Sequence, residues 1–378
     1  MVYLDNAATS YPKAPGVASA MADYVEKVGA TINRSSYASA QEAGLVTLSL
    51  RERLCRLFNH PDPTHAVLTP GATAGLNMVI KGLLRPGDHC LVSSMEHNAV
   101  MRPLVQLERE GVVFERIPCD AQGRLRLEAL PGMIKLNTRL VVMAHGSNVC
   151  GTVQDAEAVG KICRERGVPF ALDAAQTAGH IEVDFERFGL SALVVPGHKG
   201  LLGPQGIGAL LLDADFARRL TPLVAGGTGS ASDSEELPDW MPDRFESGTP
   251  NMPGVYGWEA ALGWLENTGI ETLENHEKTL SKRFLEGIYG LKNVKLYGIT
   301  VPERRTGVFS VGFLNCDNAE AAWRLEREFG ILTRCGLHCA PSAHKTLGSF
   351  PEGSVRFSTG WANTEADIDA ALSAIAAI

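Results

Sequence analysis

The stretch from Asp173 to Gly208 constrains this chain more than any other, because it sets two charged side chains at the ends of two apolar runs. Asp173 closes the run VPFALD and opens DAAQTAGH (173–180). Lys199 follows SALVV inside the glycine-flanked turn of VVPGHKGLLGPQGIG (194–208). A lysine has little reason to end a buried strand unless its amine is used, and Schiff-base formation is one such use. Pyridoxal phosphate sites combine such a lysine with an acid that keeps the cofactor's ring nitrogen protonated. Asp173 and Lys199, in that order on consecutive strand ends, offer that pair.

The text around this stretch alternates short apolar runs with helical segments. AVLT precedes the helical PGATAGLNMVIKGLL, HCLVSS precedes a helix over 98–110, and VVFERIP precedes one near 127–135. RLVVMAH, a helix over 155–167, VPFALD, SALVV and IGALLL complete the series. Such alternation predicts an α/β fold with a mostly parallel, doubly wound sheet covered by helices on both faces. Ligands of these sheets bind beyond the carboxyl ends of the strands. Gly71-Ala72-Thr73, Glu96-His97-Asn98, His145 to Asn148, Asp173 and Lys199 all fall there.

Upstream, helices are expected at 16–28 and 41–58, the second with Leu45, Leu48, Leu54 and Leu57 on one face, joined by a polar loop over 32–44. Downstream, 221–254 reads as a long loop ending in RFESGTPN, followed by a helix at 267–290, the strands VKLYG and GVFSVGF, and a helix at 318–329. An irregular segment over 333–353, the strand SVRFS and a last helix from about 364 finish the chain. The division expected is a large unit over 16–254 and a smaller α+β unit built from 1–15 and 255–378.

Composition narrows the class of function. The 378 residues are 45% hydrophobic and 21% charged, enough for a large core. A net charge of −8 without a basic block argues against nucleic acid as a partner. No apolar run approaches the roughly 18 residues of a spanning helix, so no membrane is expected. The start, MVYLDNAATSYP, does not read as a signal peptide, and the eight cysteines are scattered. A cytoplasmic, reducing environment is the expectation.

Several side chains have a plain reading beside a functional one. TPGATAG (69–75) is a capped turn, or a cradle in which backbone N–H groups and Thr73 hold a phosphate at a helix N-terminus. His97 is a structural histidine, or stacks on an aromatic cofactor or shuttles a proton. Asn148 and Gln176 hold loops or bond to ring substituents. RCGLHC (334–339) has poor spacing for zinc, and a thiol nucleophile on a loop fits it better. Arg356 is a surface ion pair, or a two-pronged partner for a substrate carboxylate.

Taken together, YLDNAAT, TPGATAGLN, MEHNAV, SNVCGT, DAAQTAGH, PGHKGLLGPQGIG, RFESGTPN, RCGLHCA and VRFSTG resemble the class V aminotransferase superfamily, within it the cysteine desulfurase and selenocysteine lyase branch. The resemblance runs from residue 3 to about 370. It implies fold type I with pyridoxal 5'-phosphate as cofactor. Lys199 would hold the cofactor covalently, Asp173 would pair with its ring nitrogen, Gln176 would bond its ring oxygen and His97 would stack on it. Ala72, Thr73 and His198 would hold the phosphate. Thr249 resembles a phosphate contact donated across a homodimer. Asn148 and Arg356 would hold the carboxylate of L-cysteine or L-selenocysteine. Cys339 would take the sulfur as a persulfide, releasing alanine, and pass it to a second thiol or an acceptor protein. Pro196 replaces the Ser or Thr usual in the family, and 340–355 differs from the best-known desulfurases. Cys335 reads as a packing residue or a resolving thiol. Selenocysteine lyase, another class V reaction such as transamination or β-elimination, and a non-catalytic scaffold stand as alternatives, the last opposed by the intact residue set.

Overall fold

The computed structural model describes residues 1–33 and 35–378; Arg34, within the polar stretch 32–44, lies outside the described residues. Seven strands form the main sheet in the order Ala66–Thr69, Gly208–Leu212, Ala192–Pro196, Phe170–Asp173, Thr138–Ala144, His89–Ser93 and Val113–Ile117. Gly208–Leu212 runs against both neighbours, and the remaining pairings are parallel. The mostly parallel sheet predicted from the alternation is what forms.

Its strands other than the edge strand Val113–Ile117 are buried on both faces, which explains why they read as nearly unbroken apolar runs. Successive side chains leave a strand on opposite sides. Leu193 and Val195 accordingly enter one core with Phe170, Leu172 and Leu211. Ala192 and Val194 enter the other with Ala171, Leu210 and Leu212. Close helix packing on this slab is steric. A Cβ on Gly160 of the helix Ala156–Glu165 would lie 1.7 Å from the Phe188 carbonyl oxygen.

A second, antiparallel sheet runs Arg334–Gly336, Ser354–Ser358, Val308–Phe313, Val294–Tyr297. The chain start joins it indirectly: Val2–Tyr3 pairs in parallel with Ile331–Leu332, and Asp5 bridges to Ser358. This core, around Phe284, Phe309, Val311 and Phe357, is separate from the two that cover the main sheet.

Several readings of the sequence need correction. Leu45 and Leu48 are 67% and 45% exposed, while the helix Ala38–Phe58 buries Ala43, Thr47, Leu50, Leu54 and Phe58. Nine residues at 3.6 per turn put Leu54 opposite Leu45, so the four leucines never shared a face. Residues 252–268 are a helix that begins inside the expected 221–254 loop and covers 255–266, for which no element was expected. The Asn251 side chain caps it by accepting from Gly254 N–H (3.1 Å). Its apolar residues run around the whole cylinder, so no periodic signal marks it. Val255, Trp258, Leu262 and Leu265 belong to a core of the main sheet, so this helix packs with the large unit and not with the smaller one to which 255–268 was assigned. The segment 333–353, expected to be irregular, holds a short strand and the helix Pro341–Leu347.

Gly160→Ala is expected to destabilise the protein by about 1–3 kcal/mol or more through overpacking. Gly132→Ala, with nothing within 4 Å of the added carbon, should change stability by less than about 0.5 kcal/mol. Urea unfolding of the two variants checks the contrast.

Candidate active site

The carboxyl ends of the main strands and the edge of the second sheet enclose a cavity of about 670 Å³. Ala72, Thr73, His97, Asn148, Asp173, Gln176, His198, Lys199 and Arg356 all line it. Two predicted site residues do not. Thr249 is exposed and lies outside the lining, and Cys339 stands at the rim.

Asp173 is the last residue of its strand, buried, and accepts a hydrogen bond from the Ala175 N–H (3.0 Å). Burial pushes its carboxyl above the usual range, with the Ala175 N–H and the charge of Lys199 pulling it back. Burial draws the Lys199 ammonium down to about 8; Asp173 opposes this, while Arg356 and Arg334 add to it. The amine therefore gives up its proton far more readily than an ordinary lysine.

His97 caps the helix Asn98–Glu108 by accepting the Ala99 N–H at Nδ1 (3.0 Å), so its neutral ring carries the proton on Nε2. Burial, then Lys199 and Arg334, lower it to about 4. His198 is likewise lowered to about 4 by burial, and its buried Nδ1 has no partner among the described residues. Gln176 donates from Nε2 to the Ala7 carbonyl (3.0 Å). At the other side of the cavity the helix Ala72–Leu83 starts from Gly71, presenting free N–H groups.

The second sheet contributes cations. Arg356 is 1% exposed; it donates to Asp5 Oδ1 (2.7 Å) and to the Asn148 carbonyl (3.0 Å), and its Nε has no partner among the described residues. Arg334 sits directly opposite Arg356 in the strand register and also lines the cavity. Two like charges facing across a strand pair are unfavourable unless an anion sits with them. Asp5 supplies one carboxylate, and a carboxylate ligand would supply another.

Cys339 and His338 are consecutive non-glycine residues with left-handed backbone, φ 56° and 49°. Such conformations persist only when their surroundings hold them. Here the Cys339 carbonyl accepts from Asn98 N–H (2.8 Å) and the His338 carbonyl from Asn148 Nδ2 (2.7 Å). Behind the turn runs a buried relay. His338 Nε2 donates to the Arg334 carbonyl (3.2 Å), its Nδ1 meets His344 Nε2 (3.3 Å), and His344 Nδ1 meets Ser349 Oγ (2.8 Å). Burial lowers His338 to about 3 and His344 to about 4, so both rings are neutral and fully used in holding the turn. The Cys339 thiol is left facing Arg334, with Nη2 3.8 Å from Sγ. Cys335, one residue beyond Arg334 on the strand, alternates to the opposite side. Burial raises its thiol, which suits packing.

Sequence reasoning gave no role to four contributors. Asp5 pairs with Arg356, in a segment read as turn-rich only. Lys13, lowered to about 8 by burial, donates to the His198 carbonyl (2.9 Å) and so fixes the turn that carries Lys199. Glu96, with no exposure and pushed up to about 8 by burial, accepts the Ala144 N–H (3.0 and 3.1 Å) at the cavity wall. Arg334 was named only as the first residue of RCGLHC. Among the described residues no group of histidine, cysteine and acidic side chains could hold a metal, and no helix is long and apolar enough to cross a membrane.

His344→Leu leaves the buried His338 Nδ1 unpaired, at a cost of about 1–3 kcal/mol. It should loosen the turn, so that Cys339 in this variant is alkylated several-fold faster than in the parent protein, measured peptide by peptide by mass spectrometry. An unchanged rate would mean that Asn98 and Asn148 alone hold the turn.

Residues 2–371 match the family model described as aminotransferase class-V. A probable cysteine desulfurase of Methanothermobacter thermautotrophicus is 32% identical over 372 residues, covering 97% of this chain and 92% of the relative. A cysteine desulfurase of Cronobacter sakazakii is 30% identical, covering 98% and 91%. Among solved structures, the apo cysteine desulfurase from Thermococcus onnurineus superposes with a TM-score of 0.93 at 31% identity, covering all of this chain and 94% of that one. With this match over nearly its full length and the strand-end lysine and aspartate on one cavity floor, the chain belongs to the class V aminotransferase family.

Proposed function

We propose that the chain is a pyridoxal-phosphate-dependent cysteine desulfurase that releases L-alanine from L-cysteine and keeps the sulfur as a persulfide on Cys339. The observation that carries this reading is the clamped Cys339 thiol at the rim of a cavity whose floor holds Lys199 and Asp173. Relatives that share the fold over almost the whole chain bear the same name.

The residues fit the cofactor. Lys199 is the amine to bind it and Asp173 the acid for its ring nitrogen. The orphaned His198 Nδ1, Thr73 and the start of the helix Ala72–Leu83 suit its phosphate. Gln176 suits the ring oxygen, and the neutral His97 a stacked ring. When bound, pyridoxal phosphate supplies an electron sink at the substrate's Cα.

The chain's own residues then do the rest. Arg356, held by Asp5 and the Asn148 carbonyl, takes the substrate carboxylate with Asn148 and Arg334 beside it. Lys199 removes the Cα proton, a role suited to an amine that burial has drawn toward neutrality. The Cys339 thiolate attacks the substrate sulfur. A sulfur–sulfur bond forms as the carbon–sulfur bond breaks, the electron pair stays on carbon, which is protonated to a methyl group, and Cα regains a proton as alanine leaves. The enzyme now bears Cys339–S–SH, and a second thiol takes the outer sulfur.

A homodimer completes the site in this reading. Thr249, outside the cavity of its own chain, reaches the phosphate of a second copy. Eight free cysteines suit a reducing cytoplasm.

Lys199→Ala should abolish alanine formation from L-cysteine and from L-selenocysteine alike, measured on cofactor-loaded protein with excess reductant. Cys339→Ala should lower the L-cysteine rate by about 10²-fold or more, the scale of a lost nucleophile or proton carrier. Alanine from selenocysteine alone, undiminished in Cys339→Ala, would make the protein a selenocysteine lyase instead. The pH dependence of cofactor loading tests the floor itself. Only the unprotonated amine reacts, so loading of the apoprotein should accelerate with rising pH and level off above about 8, not near the 10.5 of an ordinary lysine.

A further inference from the structure

A second concavity, of about 630 Å³, lies on the outer side of the Cys339 turn. It is framed by the helix Asn98–Glu108, the edge strand Val113–Ile117 and the helix Pro341–Leu347. Its charged lining is all of one sign: Arg102, Arg109, Arg116 and Lys345. All four are exposed, and no carboxylate lines the groove. None of the four takes part in an ion pair among the described residues. Glu115, beside Arg116 on the strand, is taken by Lys135. The Arg116 guanidinium lies over the Phe114 ring (5.2 Å) and the Lys345 ammonium over Phe350 (4.9 Å). On a chain with eight more acidic than basic side chains, four unpaired cations in one groove are a local reversal of sign.

The position of the groove matters as much as its charge. Asn98, which lines it, donates its N–H to the Cys339 carbonyl. Pro341 and Ser342 line it too, two and three residues past the cysteine, while His338 and Arg334 on the other side line the catalytic cavity. Cys339 thus lies in the turn between residues that line the one space and residues that line the other. We infer that this groove docks an acidic segment of the protein that accepts sulfur from Cys339. The inference rests on the persulfide reading of the cysteine. A groove framed by three elements, with cations spread along it and no convergent pocket, suits an extended acidic segment. Charge of this kind chiefly speeds encounter and selects partners.

The transfer balances without any further reagent. An acceptor thiolate attacks the outer sulfur of Cys339–S–SH, a new sulfur–sulfur bond forms, and the old one breaks with its electron pair returning to Cys339. One proton and one sulfur atom change hands, giving the acceptor persulfide and free Cys339 thiol, with no net oxidation.

The test uses the cofactor-loaded enzyme and two synthetic peptides with one cysteine each, one rich in glutamate and one with lysine at every glutamate position. Binding is read by fluorescence anisotropy of cysteine-free versions, and transfer by the mass of each peptide after incubation with the enzyme and L-cysteine. The glutamate peptide should bind and be persulfurated at least about tenfold faster than the lysine peptide, with the advantage shrinking as salt rises. The double variant Arg109→Glu, Arg116→Glu should lose that preference while forming alanine with a small-molecule reductant at the parental rate. Equal transfer to both peptides, or an unaltered preference in the variant, would overturn the inference. So would a change in oligomeric state on charge reversal, which would make the groove a contact between copies of this chain. Absence of alanine in the parent would instead defeat the desulfurase reading, and the anisotropy would still decide whether acidic segments bind.

Discussion

The site depends on burying an amine and a carboxyl on the same floor. Asp173 ends its strand and Lys199 lies in the turn just beyond the neighbouring one, and desolvation by the surrounding protein makes each less charged than it would be in solution. Each also partly stabilises the other's charge. In the proposed reading, pyridoxal phosphate would take up the amine and give the acid a cationic partner. The parallel sheet makes this possible. Its two apolar faces pay for the strands, and the strand ends are free to carry groups that a core would not tolerate.

The second sheet brings what the first lacks. Arg356 and Arg334 face each other across a strand pair, and the turn after Arg334 swings Cys339 to the cavity rim. Left-handed backbone at His338 and Cys339 is held by two hydrogen bonds from the main-sheet side and a histidine–histidine–serine relay behind. The thiol is therefore presented by a turn that these hydrogen bonds fix in place. The same turn lies between residues of the large cavity and residues of the basic groove, so in the proposed reading sulfur would be taken up on one side of Cys339 and handed on from the other.

Much of this was legible in the sequence. Strands buried on both faces are unbroken apolar runs, and the polar residues at their ends stand out; nine of the expected site residues do line one cavity. Cys339 and Thr249 were named from the resemblance, and a single chain leaves both outside the lining. What the sequence hid follows from geometry between distant segments. Asp5 and Arg356 are 351 residues apart, and the Arg334–Arg356 register cannot be read without the sheet. The helix Met252–Thr268 was missed because it is apolar all around. The basic groove was hidden because its cations come from three elements of an acidic chain, which the net charge averages away.

The most direct measurement is the mass of the Cys339 peptide after the cofactor-loaded protein meets L-cysteine without reductant. The expected result is one additional sulfur atom on Cys339, one alanine formed per sulfur retained, and neither in Lys199→Ala. Alanine produced with Cys339 unmodified, or a persulfide found on Cys335 instead, would contradict it.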